Sequence, residues 1–322
     1  MNRILFNRTV KRIIGWQAIA CLTVLLASCS SQDNEKILSP EELRLERATR
    51  IDSVAISSVL QPDSIAEQEL LNSITAEAWI LVEDSMGLLL SEKNADERLF
   101  PASLTKMMTC LLALEHGNMA DTLEITEDVF VTRDSRVRPG DRYEVGILLN
   151  EMMLQSDNVA AVALAKYLSP DTLSFTDMMN SKAAYLHMDS THFANPNGMP
   201  NDSNYSTARD LLTLTRYCMY DSAFAQIVST PFMDVPLIDK RHFPCTNTNL
   251  LLTDYEGCIG VKTGYTRQAG ACLASAATRN GVTLYLVMLK SKTRASRFTE
   301  SALLLDYGFR QVAAYREQMA TE

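Results

Sequence analysis

The chain has 322 residues, 47% of them hydrophobic, so it can bury a large core in one or two domains. Its formal net charge is −9, and the first 28 residues hold four cations (Arg3, Arg8, Lys11, Arg12) and no acid, which leaves the remainder more acidic still. That balance argues against nucleic acid as a partner and lends no support to a basic membrane-binding surface.

In chain order, residues 1–28 read as an export signal: a cationic stretch to Arg12, an apolar run from Ile13 to Ala27, then small residues. The run, about 15 residues, falls short of the roughly 20 that a membrane-spanning helix needs. It ends Leu26-Ala27-Ser28-Cys29 with Ser30-Ser31-Gln32-Asp33 following, which resembles the bacterial lipobox. The expectation is an exported lipoprotein, lipidated on Cys29 and held at a membrane facing the periplasm or cell-wall side. An ordinary signal peptide or an uncleaved anchor is the alternative. Residues 29–75 are polar, with Pro40, Pro62 and a helix-leaning patch from Glu41 to Arg50. They are expected as a tether, with a small docking helix as the other reading.

The folded body is expected over 76–312, with 313–322 as a tail. Trp79–Val82 and Leu88–Leu90 are apolar runs around the hairpin signal Glu83–Gly87. Pro101-Ala102 introduces a helix with Leu104, Met107, Met108, Leu111 and Leu112 at helical spacing. Residues 145–167 are apolar and helical but interrupted at Ser156-Asp157-Asn158, and helical patterns continue through 171–187 and 207–228. Cys258–Lys262, Ala269–Ala277 and Val282–Leu289 read as strands, with Asn280-Gly281 as a tight turn, and a last helix covers Arg294 to Tyr307. Strands from both ends and helices between them predict an α+β fold: an antiparallel sheet built from the two ends of the domain, packed against a helical region.

Five cysteines remain in the body: Cys110, Cys218, Cys245, Cys258 and Cys272. None has C-x-x-C spacing, and the four histidines lack H-E-x-x-H, so neither metal nor cofactor is expected. A disulfide is open to an exported protein, but spacing assigns none.

The chemistry concentrates in three short patterns: Ser103-Leu-Thr-Lys106, Ser156-Asp-Asn158 and Lys262-Thr-Gly264. Ser103 and Lys106 share one face of a helix start, where a lysine with a lowered pKa can take the serine proton. Ser156 and Asn158 point the same way if the helix breaks there, one to relay a proton and one to hold an amide. Lys262-Thr-Gly264 ends a strand that can pair with an extended peptide. Its lysine offers positive potential and its glycine allows close approach. Singly, these have ordinary readings: a chance spacing, a capped helix break, a turn. Together and in this order they point to a serine nucleophile.

With these residues the chain resembles the serine-type D-Ala-D-Ala carboxypeptidases, the low-molecular-weight penicillin-binding proteins, over about residues 76–310, in a β-lactamase/transpeptidase-like fold. Further matches are Pro101–Thr109, His192–Met199, Tyr205–Asp210, Val261–Thr266 and Leu305–Phe309. The resemblance implies that Ser103 is acylated, Lys106 accepts its proton, Ser156 passes a proton to the leaving D-alanine with Lys262 nearby, and Asn158 orients the peptide. It implies an oxyanion hole from the Ser103 and Tyr265 N–H groups. Thr263, with Gly264 and Tyr265 beside it and a cation from Lys292 or Arg294, would hold the terminal carboxylate. Many family members carry arginine near the position of Lys292. Its partners would be a peptidoglycan stem peptide ending in D-Ala-D-Ala, β-lactams as inhibitors, and a membrane through the lipid on Cys29. With little sequence after Gly308, the C-terminal β domain and amphipathic anchor of some relatives are not expected.

Three rivals use the same pattern. A β-lactamase of class A needs a glutamate after S-D-N, and none lies between Glu151 and Glu256. A transpeptidase or endopeptidase differs only in the acceptor or the scissile linkage. A non-catalytic wall-binding lipoprotein would have no need of the complete motif set.

Overall fold

The computed structural model describes residues 38–51 and 65–321. The export signal expected over 1–28 and the lipid site expected at Cys29 lie outside the described residues. The segment expected as a tether carries two helices, α1 (Pro40–Thr49) and α2 (Ile65–Ser73). The docking alternative is the one that α1 follows. Ala48 is fully buried, and Arg44 lies 4.0 Å over the Tyr217 ring while its Nε donates to the Tyr217 carbonyl at 2.6 Å. Buried Arg216 donates to the carbonyls of Ala48 at 3.2 Å and Arg50 at 2.7 Å, and to Asp84 Oδ1 at 3.1 Å. Polar composition concealed this docking because the apolar contact is small, Leu45, Ala48 and Ile51 against the core, and guanidinium–carbonyl hydrogen bonds supplement it.

The hairpin of β1 (Ala78–Glu83) and β2 (Leu88–Lys93) leads to a 3-10 turn (Ala102–Thr105) and α3 (Lys106–His116). A short hairpin, β3 (Thr122–Glu124) and β4 (Arg142–Glu144), precedes α4 (Val145–Leu154) and α5 (Asn158–Leu168), which are separated at Ser156 as expected. Then come α6 (Thr172–Tyr185), α7 (Ala208–Met219) and α8 (Ser222–Val228). The pattern over 207–228 splits because Asp221 accepts from the N–H groups of Ala223 and Phe224 and starts a new helix. A second hairpin, β5 (Phe232–Pro236) and β6 (His242–Thr246), and the short α9 (Leu251–Asp254) precede β7 (Cys258–Thr266), β8 (Gly270–Arg279), β9 (Val282–Ser291) and α10 (Ser296–Thr321).

The main sheet has the order β2-β1-β9-β8-β7 and is antiparallel throughout, so strands from the two ends of the body meet where β1 pairs with β9, Ile80 opposite Val287. Alternate residues face opposite layers. Ile80, Val82 and Val287 join the core shared with α3, α5 and α7, while Trp79, Leu81 and Leu286 pack with Leu304 and Leu305 of α10. Helices thus cover both faces. This is why β1 is buried at every position and reads as a continuous apolar run instead of an alternation.

Two expected boundaries move. β7 runs on to Thr266, so the Lys262-Thr263-Gly264 motif lies inside the strand and not at its end. The last helix continues to Thr321 through the stretch expected as a tail, with Val312 still buried. The five cysteines of the body are free thiols, four of them buried.

Candidate active site

Ser103 lies in the 3-10 turn at Ala102–Thr105, entered through Ala102 in the left-handed region at φ +48°. Two glycines hem it in. A Cβ on Gly198, whose φ is +76°, would stand 1.9 Å from the Ala102 carbonyl oxygen, and one on Gly264 would stand 3.1 Å from Ser103 N. Only glycine lets the middle loop and β7 close on this backbone from both sides.

Lys106 is fully buried. Its Nζ lies 3.0 Å from Ser103 Oγ, 2.8 Å from Asn158 Oδ1 and 2.5 Å from the Asn197 carbonyl oxygen. Burial pushes the amine down to about 7, against the pull of the nearby Asp157 charge. A neutral amine can donate to the two carbonyl oxygens and keep its lone pair for the Ser103 hydroxyl, as a general base requires.

The break between α4 and α5 explains the three consecutive polar residues in an apolar stretch. Ser156 takes φ +63°. Asp157 caps α5, accepting from Val159 N at 2.8 Å and Ala160 N at 2.9 Å, and also from Ser135 Oγ at 2.5 Å. Asn158 opens the helix, turned to Lys106, with its amide N–H toward Met199 sulfur at 3.6 Å. Ser156 and Asn158 both line the cleft, as the sequence pattern predicts.

On the opposite wall, β7 is the edge strand. Lys262 is 1% exposed and donates to the Thr263 carbonyl at 3.1 Å. Burial first, then the charges of Lys106 and Arg297, hold it well below the ordinary lysine value. The cations that line the cleft are Arg136, Arg294 and Arg297. Thr263 Oγ1 meets Thr248 Oγ1 at 2.7 Å. Ser103, Ser156, Asn158, Thr263, Gly264 and Tyr265 share one cleft of 420 Å³.

Of the two cations expected at the carboxylate end, Arg294 lines this cleft, its guanidinium 4.0 Å from the centre of the Tyr265 ring. Lys292 does not. β9 ends at Ser291, the Lys292 N–H donates to Thr75 Oγ1 at 3.1 Å, and the side chain lines a different cavity with Thr75, Glu77 and Lys93. Arg297, which sequence reasoning missed, also lines the active cleft. It is 7% exposed and donates from Nη1 to the Gly264 carbonyl at 2.9 Å. Its Nε has no partner among the described residues, and burial lowers it to about 10. The signal was the density of cations between Lys290 and Arg297, but which of them turns inward depends on where β9 stops. The Asn197 carbonyl was invisible for a simpler reason: a backbone atom has no sequence signature. Glu151, buried on the cleft wall beside the Cys245 thiol, was also missed.

A model of the D-alanyl-D-alanine carboxypeptidase family matches residues 63–293. The chain is 31% identical over 264 residues to D-alanyl-D-alanine carboxypeptidase DacF of Bacillus subtilis, covering 80% of this chain and 67% of that protein. It is 34% identical over 267 residues to DacC of Escherichia coli, covering 77% and 65%. The chain thus spans about two thirds of the length of these relatives. Among solved structures, that of a Streptomyces DD-transpeptidase is similar with a TM-score of 0.70 at 33% identity, covering 74% of this chain and 98% of that one.

Proposed function

The chain belongs to the D-alanyl-D-alanine carboxypeptidase family, and we propose that it removes the terminal D-alanine from peptidoglycan stem peptides through an acyl-enzyme on Ser103. The observation that carries this assignment is the buried Lys106 amine, 3.0 Å from Ser103 Oγ and lowered to about 7. Near neutral pH such a lysine is ready to accept the hydroxyl proton as Oγ attacks the penultimate D-alanine carbonyl. The N–H groups of Ser103 and Tyr265 stabilise the oxyanion, and the edge of β7 aligns the peptide. Ser156 returns a proton to the departing amine, with Lys262 behind it. Asn158 holds the substrate amide, and Thr263 with Arg294 and Arg297 receives the terminal carboxylate, two guanidinium groups being suited to that planar anion. Water then hydrolyses the Ser103 ester.

An amine acceptor in place of water would give transpeptidation, which the likeness to the Streptomyces DD-transpeptidase supports as a related activity. Penicillins, which present a reactive amide with a nearby carboxylate, would acylate the same serine. The expected lipid on Cys29 would hold the enzyme at the membrane on its cell-wall side. Cys29→Ala should then release the protein from the membrane fraction or block its maturation, and a variant still bound at mature size would mean a different anchor.

A fluorescent penicillin tests the nucleophile. The wild-type protein should be labelled covalently and Ser103→Ala should not. Labelling retained in the variant would move the nucleophile elsewhere.

A further inference from the structure

The direction of β7 predicts where the rest of the substrate goes. A peptide that pairs antiparallel with this edge, its terminal carboxylate toward Thr263, runs past Tyr265 and Thr266 toward the turn joining β7 to β8. Residues upstream of the scissile bond advance by roughly 3.3 Å each, so two residues beyond Tyr265 the chain lies about 7 Å further on, beside Arg267.

There a second cavity of 590 Å³ opens at the end of the sheet, where β1 begins and β2 and β9 end. It is lined by four exposed cations, Lys93, Arg267, Lys290 and Lys292, and by Glu77. Glu77 pairs with Lys290 at 2.5 Å. Lys93 is tied to the Ala76 carbonyl at 3.1 Å and lies 5.0 Å over the Trp79 ring. On the rim, Asp202 accepts from Gln268 at 3.3 Å. The side chains of Arg267 and Lys292 have no acidic partner among the described residues. In a chain of net charge −9, this concentration of positive charge is charge-complementary to an anion, and it sits on the path of the substrate.

We propose that this basic groove is an upstream subsite that favours substrate peptides bearing carboxylates before their D-alanine pair. The proposal rests on the carboxypeptidase reading, since that reading sets the substrate's direction along β7. It also gives Lys292 a place: its side chain meets the middle of the substrate and not the terminal carboxylate.

The test compares two peptides as substrates of the purified whole protein. One is a short N-acetylated peptide, neutral up to its D-Ala-D-Ala end. The other is longer and carries two acidic residues upstream of that end. kcat/KM is measured by D-alanine release at low and high salt. Wild type should prefer the acidic peptide by roughly tenfold at low salt, and the preference should shrink as salt screens it. Arg267→Glu should bring the preference to within about threefold and leave the neutral peptide's kcat/KM unchanged, while Arg267→Lys should keep most of it. Equal use of both peptides by wild type, or an undiminished preference in Arg267→Glu, would overturn the subsite. No D-alanine from either peptide would refute the carboxypeptidase reading and this inference with it.

Discussion

Glu151 lies on α4 behind the Ser156 loop, fully buried, with the Cys245 thiol beside its carboxyl group. Burial raises its pKa from 4.5 to about 7. The Cys245 thiol beside it offsets part of that rise, the negative charge of Asp157 adds to it, and Arg136 opposes it. For an acid whose folded value lies above its unfolded one, the fold favours the protonated form. Stability is therefore full below pH 4.5, falls as the pH rises toward 7, and is lowest above it. A shift of this size corresponds to about 3 kcal/mol between the two ends. Glu151→Gln cannot ionise, so it should remove that slope. Urea unfolding across a pH series, with the m-value held constant, reads the difference. The stability gap between variant and wild type should be smallest in acid and should widen in the variant's favour by about 3 kcal/mol above pH 7. A glutamine poorly matched to the site would shift the whole curve without restoring the slope. Parallel curves for the two proteins would show that Glu151 does not titrate in this range, and the reasoning would fail.

Three further outcomes follow from the geometry. The acylation rate by a penicillin should rise with pH to a plateau above the Lys106 value of about 7 and should fall about tenfold one pH unit below it; a flat profile there would mean a different base. Lys106→Ala should keep its near-native melting temperature and lose ~10²–10⁴-fold in acylation rate, measured by stopped flow or gel labelling. Arg216→Ala should cost about 3–5 kcal/mol in chemical denaturation, because it leaves buried carbonyls of Ala48 and Arg50 and the Asp84 carboxylate without their cation; a loss below 1 kcal/mol would mean that α1 docks by other contacts.

The sheet and the motif residues were legible because each rests on a local pattern. Asn280-Gly281 takes φ +50° and +73°, as its composition predicts for a tight hairpin, and the polar break at Ser156 stands where the apolar periodicity fails. The contact between Lys106 and Ser103 was legible through their three-residue spacing. What stayed hidden depends on distant segments. The docking of α1 depends on Arg216, more than 160 positions away in the chain. The inward turn of Arg297 and outward turn of Lys292 depend on the end of β9 and on Thr75. Glu151 looks like an ordinary helical glutamate until the β5–β6 hairpin, bearing Cys245, covers it.

The most direct test of the central claim is mass spectrometry of peptidoglycan fragments incubated with the purified protein. Wild type should convert pentapeptide stems to tetrapeptides, with free D-alanine appearing in equal amount, and Ser103→Ala should leave the pentapeptides intact. Tetrapeptides formed at an undiminished rate by Ser103→Ala, or pentapeptides left unchanged by wild type, would contradict the assignment.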